Sequence, residues 1–80
     1  MIERVRECMA TALKLDAQAA SRVNVSTAAA DLPGWNSVAH LSLVLELEKA
    51  FGVAFDNDEI VSMGSVGAIL ERLEAKTGQG

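Results

Sequence analysis

Ser37 is the side chain in this sequence whose position suits chemistry best. It follows Asn36, a good helix N-cap, and it opens the run Val38-Ala39-His40-Leu41, so its hydroxyl falls in the first turn of a helix. The leading backbone N–H groups of a helix have no intrahelical partner, and the positive end of the dipole lies there, a setting that favours a phosphate. His40 stands three residues on, but no Asp or second His lies at useful spacing, so the pair makes no catalytic triad. By its angle near the core face, His40 is read as a half-buried structural histidine. Trp35 is expected to pack against the preceding loop or the base of the same helix. Cys8 stands alone, which rules out an intrachain disulfide framework or a multi-cysteine zinc site and leaves a buried helix residue. Asp56, Asp58 and Glu59 lack the glycine and the distant bidentate glutamate of an EF-hand loop, so they read as helix-start acids and no metal site is expected.

The elements that must position Ser37 follow from hydrophobic spacing. Ile2, Val5, Met9, Ala12 and Leu13 recur at helical intervals between Glu3, Arg4, Arg6 and Glu7, giving a first amphipathic helix. From Lys14 to Asn36 the pattern dissolves into Ala, Ser, Thr and Asn around a Leu32-Pro33-Gly34 break. This is a long loop with a helical turn near Ala17 to Ser21, anchored by Leu15, Val23, Val25 and Leu32. A loop of that length in a compact domain needs a job or packing of its own. The second helix runs from Ser37 to Phe51, with Gly52 available for a left-handed C-cap. Val53 to Phe55 form a buried connector, and a short third helix spans about Asp58 to Val61 behind the Asp56-Asn57-Asp58-Glu59 start, ending at Met63-Gly64. Ser65 caps a fourth helix with an apolar stripe of Val66, Ile69, Leu70 and Leu73 and a water-facing set of Glu71, Arg72, Glu74 and Lys76. The expected fold is all-α: one domain over residues 1–80, a small four-helix bundle of three main helices and a short third one, with residues 77–80 a frayed tail.

The helix from Ser37 is more apolar than a surface helix requires. At about 100° per residue, Leu43, Val44, Leu47 and Phe51 share one face, whereas Val38, Leu41 and Leu45 form a second apolar stripe flanked by Ser37 and Glu48. On a protein of 80 residues, an apolar strip rimmed by carboxylates suggests a protein docking surface; cover by a neighbouring helix or the long loop is the alternative.

Composition bounds the rest. Residues 31–60 carry six carboxylates against Lys49 alone, a net charge of −5, whereas residues 1–30 carry four cations against three acids. Such a surface suits basic protein partners and disfavours nucleic acid. Apolar runs are far shorter than the roughly 20 residues that span a bilayer, so no membrane span is expected. The start of the sequence has no signal-peptide pattern, so the expected compartment is the cytoplasm. A large active-site cleft is not expected at this size.

Gly34-Trp35-Asn36-Ser37-Val38-Ala39-His40-Leu41, then Leu43-Val44-Leu45-Glu46-Leu47-Glu48 and Phe51-Gly52-Val53, resembles the signature of the acyl carrier proteins. In that family a Gly-x-Asp-Ser-Leu element opens the second helix, which runs into Leu-Glu-x-x-Phe-Gly. Phe55, the acidic turn and Ser65-Val66 resemble the family too, and the Trp35 version of the motif looks like the stand-alone carriers of specialised pathways. The resemblance implies that Ser37 is the attachment site for 4′-phosphopantetheine, transferred from coenzyme A by a carrier synthase, a phosphopantetheinyl transferase. The terminal thiol would then hold acyl groups as thioesters for acyl-loading and acyl-transfer enzymes in fatty-acid, polyketide or specialised lipid biosynthesis. It also implies a carrier that is not itself an enzyme; a monomer is expected, docking through the stripe of Val38, Leu41 and Leu45 with Glu48 on its flank. Two positions depart from the pattern: Asn36 replaces the usual Asp, and Val38 the usual Leu. Asn caps as well as Asp, but it lacks the carboxylate that, by resemblance, lies near the synthase's magnesium and basic docking residues. A peptidyl or aminoacyl carrier of the same fold, and an interaction module whose Ser37 is never modified, are the competing readings.

Overall fold

The computed structural model describes residues 2–78. Among them, five α-helices follow in order: α1 (Ile2–Leu13), α2 (Ala17–Ser21), α3 (Ser37–Phe51), α4 (Asn57–Ser62) and α5 (Val66–Thr77). The all-α bundle expected from the sequence is thus observed, with the turn near Ala17 to Ser21 closed into a fifth, one-turn helix. Asp16 caps it, accepting from the Ala19 N–H at 2.8 Å. One 3-10 turn, Ala29–Asp31, has no apolar period behind it and was not expected. Asp31 secures it by accepting from the Ala28 N–H at 3.0 Å.

The core is built from the predicted stripes. Val5, Cys8, Met9 and Leu13 of α1, Leu43, Val44 and Leu47 of α3, and Val66, Ile69 and Leu73 of α5 are buried together with Val23, Trp35, Phe55 and Met63. The α1 and α3 faces make the most extensive helix–helix contact. Burial pushes the Cys8 thiol above its ordinary range, helped by the nearby Glu46 and Glu7 carboxylates, which keeps it protonated as a core residue.

The long loop does have packing of its own. Its second half runs alongside the start of α5 and exchanges backbone hydrogen bonds with it: Gly67 N–H to Val25 O at 3.1 Å, Val66 N–H to Thr27 O at 2.8 Å and Ala29 N–H to Gly64 O at 2.9 Å. Gly67 permits this approach, because a Cβ there would stand 3.3 Å from the Val25 oxygen. Val25 itself was expected to be an apolar anchor; its side chain is instead 57 % exposed, and its backbone is what docks. Val23 is buried, and Leu15 and Leu32 pack against the core as anchors.

The helix ends follow their sequence signals. Asn36 caps α3 through a 2.9 Å bond from the Ala39 N–H, and Gly52 closes it in the left-handed conformation at φ 66°. The third predicted helix is longer than Asp58 to Val61, because Asp56 and Glu59 form a reciprocal capping box that starts it at Asn57. The last helix also outlasts the expected fraying at residue 77: the Thr77 hydroxyl bonds back to Leu73 O at 2.8 Å, and Gly78 is the left-handed cap. The remainder of that expected tail, residues 79–80, lies outside the described residues.

Candidate functional site

α3 projects Ser37 from its first turn into solvent. Trp35, Asn36, Ser37 and His40 meet Ala29 of the 3-10 turn, Val61 of α4 and Gly64 around an open groove of about 390 Å³. None of the residues on its wall carries a carboxylate. Ser37 therefore stands at the rim of a groove, at a helix N-terminus, where the Asn36 cap takes the Ala39 N–H and the N–H groups of Ser37 and Val38 have no intrahelical partner. Those features, an exposed hydroxyl, no competing anion and free N–H donors, fit a phosphodiester-linked arm on this residue.

Trp35 and His40 form the groove's floor. The indole, 5 % exposed, donates from Nε1 to His40 Nδ1 at 2.8 Å, and the two rings lie edge to edge, with planes 28° apart and centroids 6.0 Å apart. An indole N–H can only donate, so Nδ1 is the acceptor and the imidazole proton sits on Nε2, 2.8 Å from Ile60 O. His40 is half-buried and structural, as its helical angle predicted, and it ties α3 to α4. With both nitrogens engaged it has no lone pair left to act as a base for Ser37. Trp35 packs at the base of α3, as expected, but its bond to a side chain five residues on was not legible from spacing.

The second stripe of α3 is open to solvent, with Val38 76 %, Leu41 57 % and Leu45 59 % exposed. Neither the loop nor a neighbouring helix covers it. Glu48, expected to flank the stripe, also has a structural bond: Oε2 accepts from the Phe55 N–H at 2.9 Å, which fixes the connector between α3 and α4. Its spacing of seven residues from Phe55 crosses the Gly52 turn, where helical angles no longer apply. Val61, 84 % exposed on the groove wall, is an apolar surface residue that sequence reasoning missed, because a one-and-a-half-turn helix is too short to show a face.

The acidic start of α4 is structural. Asp56 caps it, and Glu59 bonds Lys76 of α5 at 2.9 Å while Lys76 also lies over the Phe55 ring. Lys76 foremost, then the Asp56 N–H, holds the Glu59 carboxyl below its ordinary value of 4.5.

In comparison with known proteins, residues 3–73 fit the family model described as the phosphopantetheine attachment site. A search of curated proteins finds no match.

Proposed function

The chain belongs to the phosphopantetheine-attachment family, carrier proteins on which 4′-phosphopantetheine is held covalently, and from that premise we propose that Ser37 is the attachment residue and that the cargo is an acyl group. The observation that carries the reading is the pairing of an exposed hydroxyl with the N-terminus of α3 at the lip of the groove. Transfer would form a phosphodiester at Ser37 Oγ, break the pyrophosphate bond of coenzyme A with release of 3′,5′-adenosine diphosphate, and send the hydroxyl proton to the phosphopantetheinyl transferase. When bound, the arm supplies a terminal thiol that holds an acyl group as a thioester. This chain's own part is to present the hydroxyl, keep carboxylates off the groove wall and offer N–H dipoles to the phosphate.

The protein acts here as a carrier and not as an enzyme: His40 is committed to Trp35 and Ile60, so nothing beside Ser37 activates it. Partner enzymes, the transferase and the acyl-loading and acyl-transfer enzymes, would dock on Val38, Leu41 and Leu45, with Val61 extending the apolar face across the groove. The acidic balance of residues 31–60 favours acyl over aminoacyl cargo and basic partner surfaces. Fatty-acid, polyketide or specialised lipid synthesis is the setting proposed, with the carrier a cytoplasmic monomer; among the described residues no helix is long and apolar enough to cross a membrane.

Intact mass tests the assignment. Protein co-expressed with a broad-specificity transferase should gain one phosphopantetheine, and Ser37→Ala should gain none. An adduct that persists in Ser37→Ala would move the site elsewhere, and a wild type that gains nothing would favour the unmodified interaction module.

A further inference from the structure

An arm on Ser37 must put its cargo somewhere, and the groove that Ser37 borders is lined in part by the Trp35–His40 pair. Trp35 belongs to the core cluster in which Met9, Leu43, Leu47, Met63 and Ile69 are fully buried. Trp35 is held by the bond to His40, and His40 by the bond to Ile60 O, so loop, α3 and α4 are joined beside Ser37 at the groove. Admitting an alkyl chain past the indole would displace it and break its bond to His40, leaving the indole N–H and His40 Nδ1 without that partner. The groove outside is mixed in character: Ala29 and Val61 are apolar, whereas Asn36, His40 and the backbone around Gly64 are polar.

We infer that Trp35, held by His40, determines cargo specificity by closing the helical core, so that the carried group stays outside in the groove and is short or polar. This rests on Ser37 being the attachment residue. A long alkyl chain would remain exposed to water, whereas a short or hydroxylated acyl group has little apolar surface to bury and so loses little by staying outside.

The test loads apo protein with acetyl- or octanoyl-pantetheine from the matching acyl-coenzyme A, confirms each adduct on Ser37 by mass, and follows thioester cleavage by hydroxylamine. In the wild type, octanoyl and acetyl forms should be cleaved at rates within about twofold of the free acyl-pantetheines, because the thioester stays accessible. In Trp35→Ala the octanoyl form alone should slow about fivefold or more, which corresponds to a chain sheltered for about four-fifths of the time. Trp35→Phe, which keeps a ring but cannot donate to His40, should show the same chain-length selectivity more weakly and serves if Trp35→Ala does not fold. Protection of octanoyl in the loaded wild type would overturn the inference and leave the carrier reading intact. Unselective cleavage in a folded Trp35 variant would overturn it too, by showing that the indole is not the barrier. A protein that takes up no mass at Ser37 would remove the carrier reading itself and this inference with it.

Discussion

Asn36 holds two demands apart that an aspartate would merge: capping α3 and supplying negative charge beside Ser37. Its Oδ1 meets the first demand through the Ala39 N–H. Asn36→Asp should therefore leave stability within about 0.5 kcal/mol, since the two residues cap about equally. If the missing carboxylate limits the transferase, the same change should speed phosphopantetheine transfer, read as the initial rate of mass gain with magnesium present; equal rates would dismiss that explanation. The Glu59–Lys76 pair gives a pH prediction at the same scale. A carboxylate whose folded-state pKa lies below its unfolded value stabilises the fold above the unfolded value, and loses that contribution as pH falls through the folded one. Thermal melts should thus decline on acidification below about 4.5, with Lys76→Met shallower than wild type over that window because its Glu59 is no longer held low. Parallel pH curves for the two proteins would show that the pair contributes nothing measurable.

Among the elements, α3 carries two apolar faces with opposite energetics, and paired truncations separate them. Leu47 is fully buried, so Leu47→Ala should cost about 2–5 kcal/mol of stability. Leu45 is 59 % exposed, so Leu45→Ala should cost less than about 0.5 kcal/mol and instead slow transfer to Ser37 by removing an apolar anchor for the transferase. Equal destabilisation by the two would mean that the stripe is core. Glu48 no longer serves as a clean docking probe: losing its bond to the Phe55 N–H should cost about 1 kcal/mol, with Glu48→Gln restoring most of it. The contrast shows what was legible. Periodicity within α1, α3 and α5, together with the Asn36, Gly52 and Ser65 caps, was enough to place the helices, both faces of α3 and the exposed Ser37, because those signals are local. The zipper of Val25 to Ala29 on the start of α5, the Trp35–His40–Ile60 chain and the turn of Glu48 toward Phe55 all depend on partners brought together by folding. No window of neighbouring residues contains them.

On the scale of the whole molecule, charge is divided between faces by how the side chains are used. The cations of α1 are turned to structure: Arg6 Nε donates to Val23 O at 2.6 Å, and Arg4 Nη1 donates to Ala50 O while its guanidinium lies over Phe51. Of the six carboxylates in residues 31–60, Glu59 is matched by Lys76 and Glu46 lies 3.8 Å from Lys49. Hydrogen bonds from backbone N–H groups to Asp31, Glu48 and Asp56 fix those side chains without cancelling their charge. With Asp58 exposed at the start of α4, four carboxylates on the segment that contains Ser37 have no ion-pair partner among the described residues. A basic transferase approaching it should be steered electrostatically, and steering weakens as the Debye length contracts from about 10 Å at 0.1 M salt to about 3 Å at 1 M. Transfer to Ser37 measured at substrate concentrations well below KM should slow across that range, whereas the melting temperature should change little, because the bonds that hold the fold are short and partly buried. Asp58 is the position at which to test the source of the effect, since its carboxylate takes no part in the α4 capping box and its loss costs only the few tenths of a kcal/mol of a first-turn acid. Asp58→Asn should transfer more slowly than wild type at low salt, converge with it at high salt and show the shallower salt dependence of the two. A variant that keeps the wild-type slope would place the steering charge on another part of the molecule, and a salt-independent wild type would mean that partners recognise α3 chiefly through apolar contact.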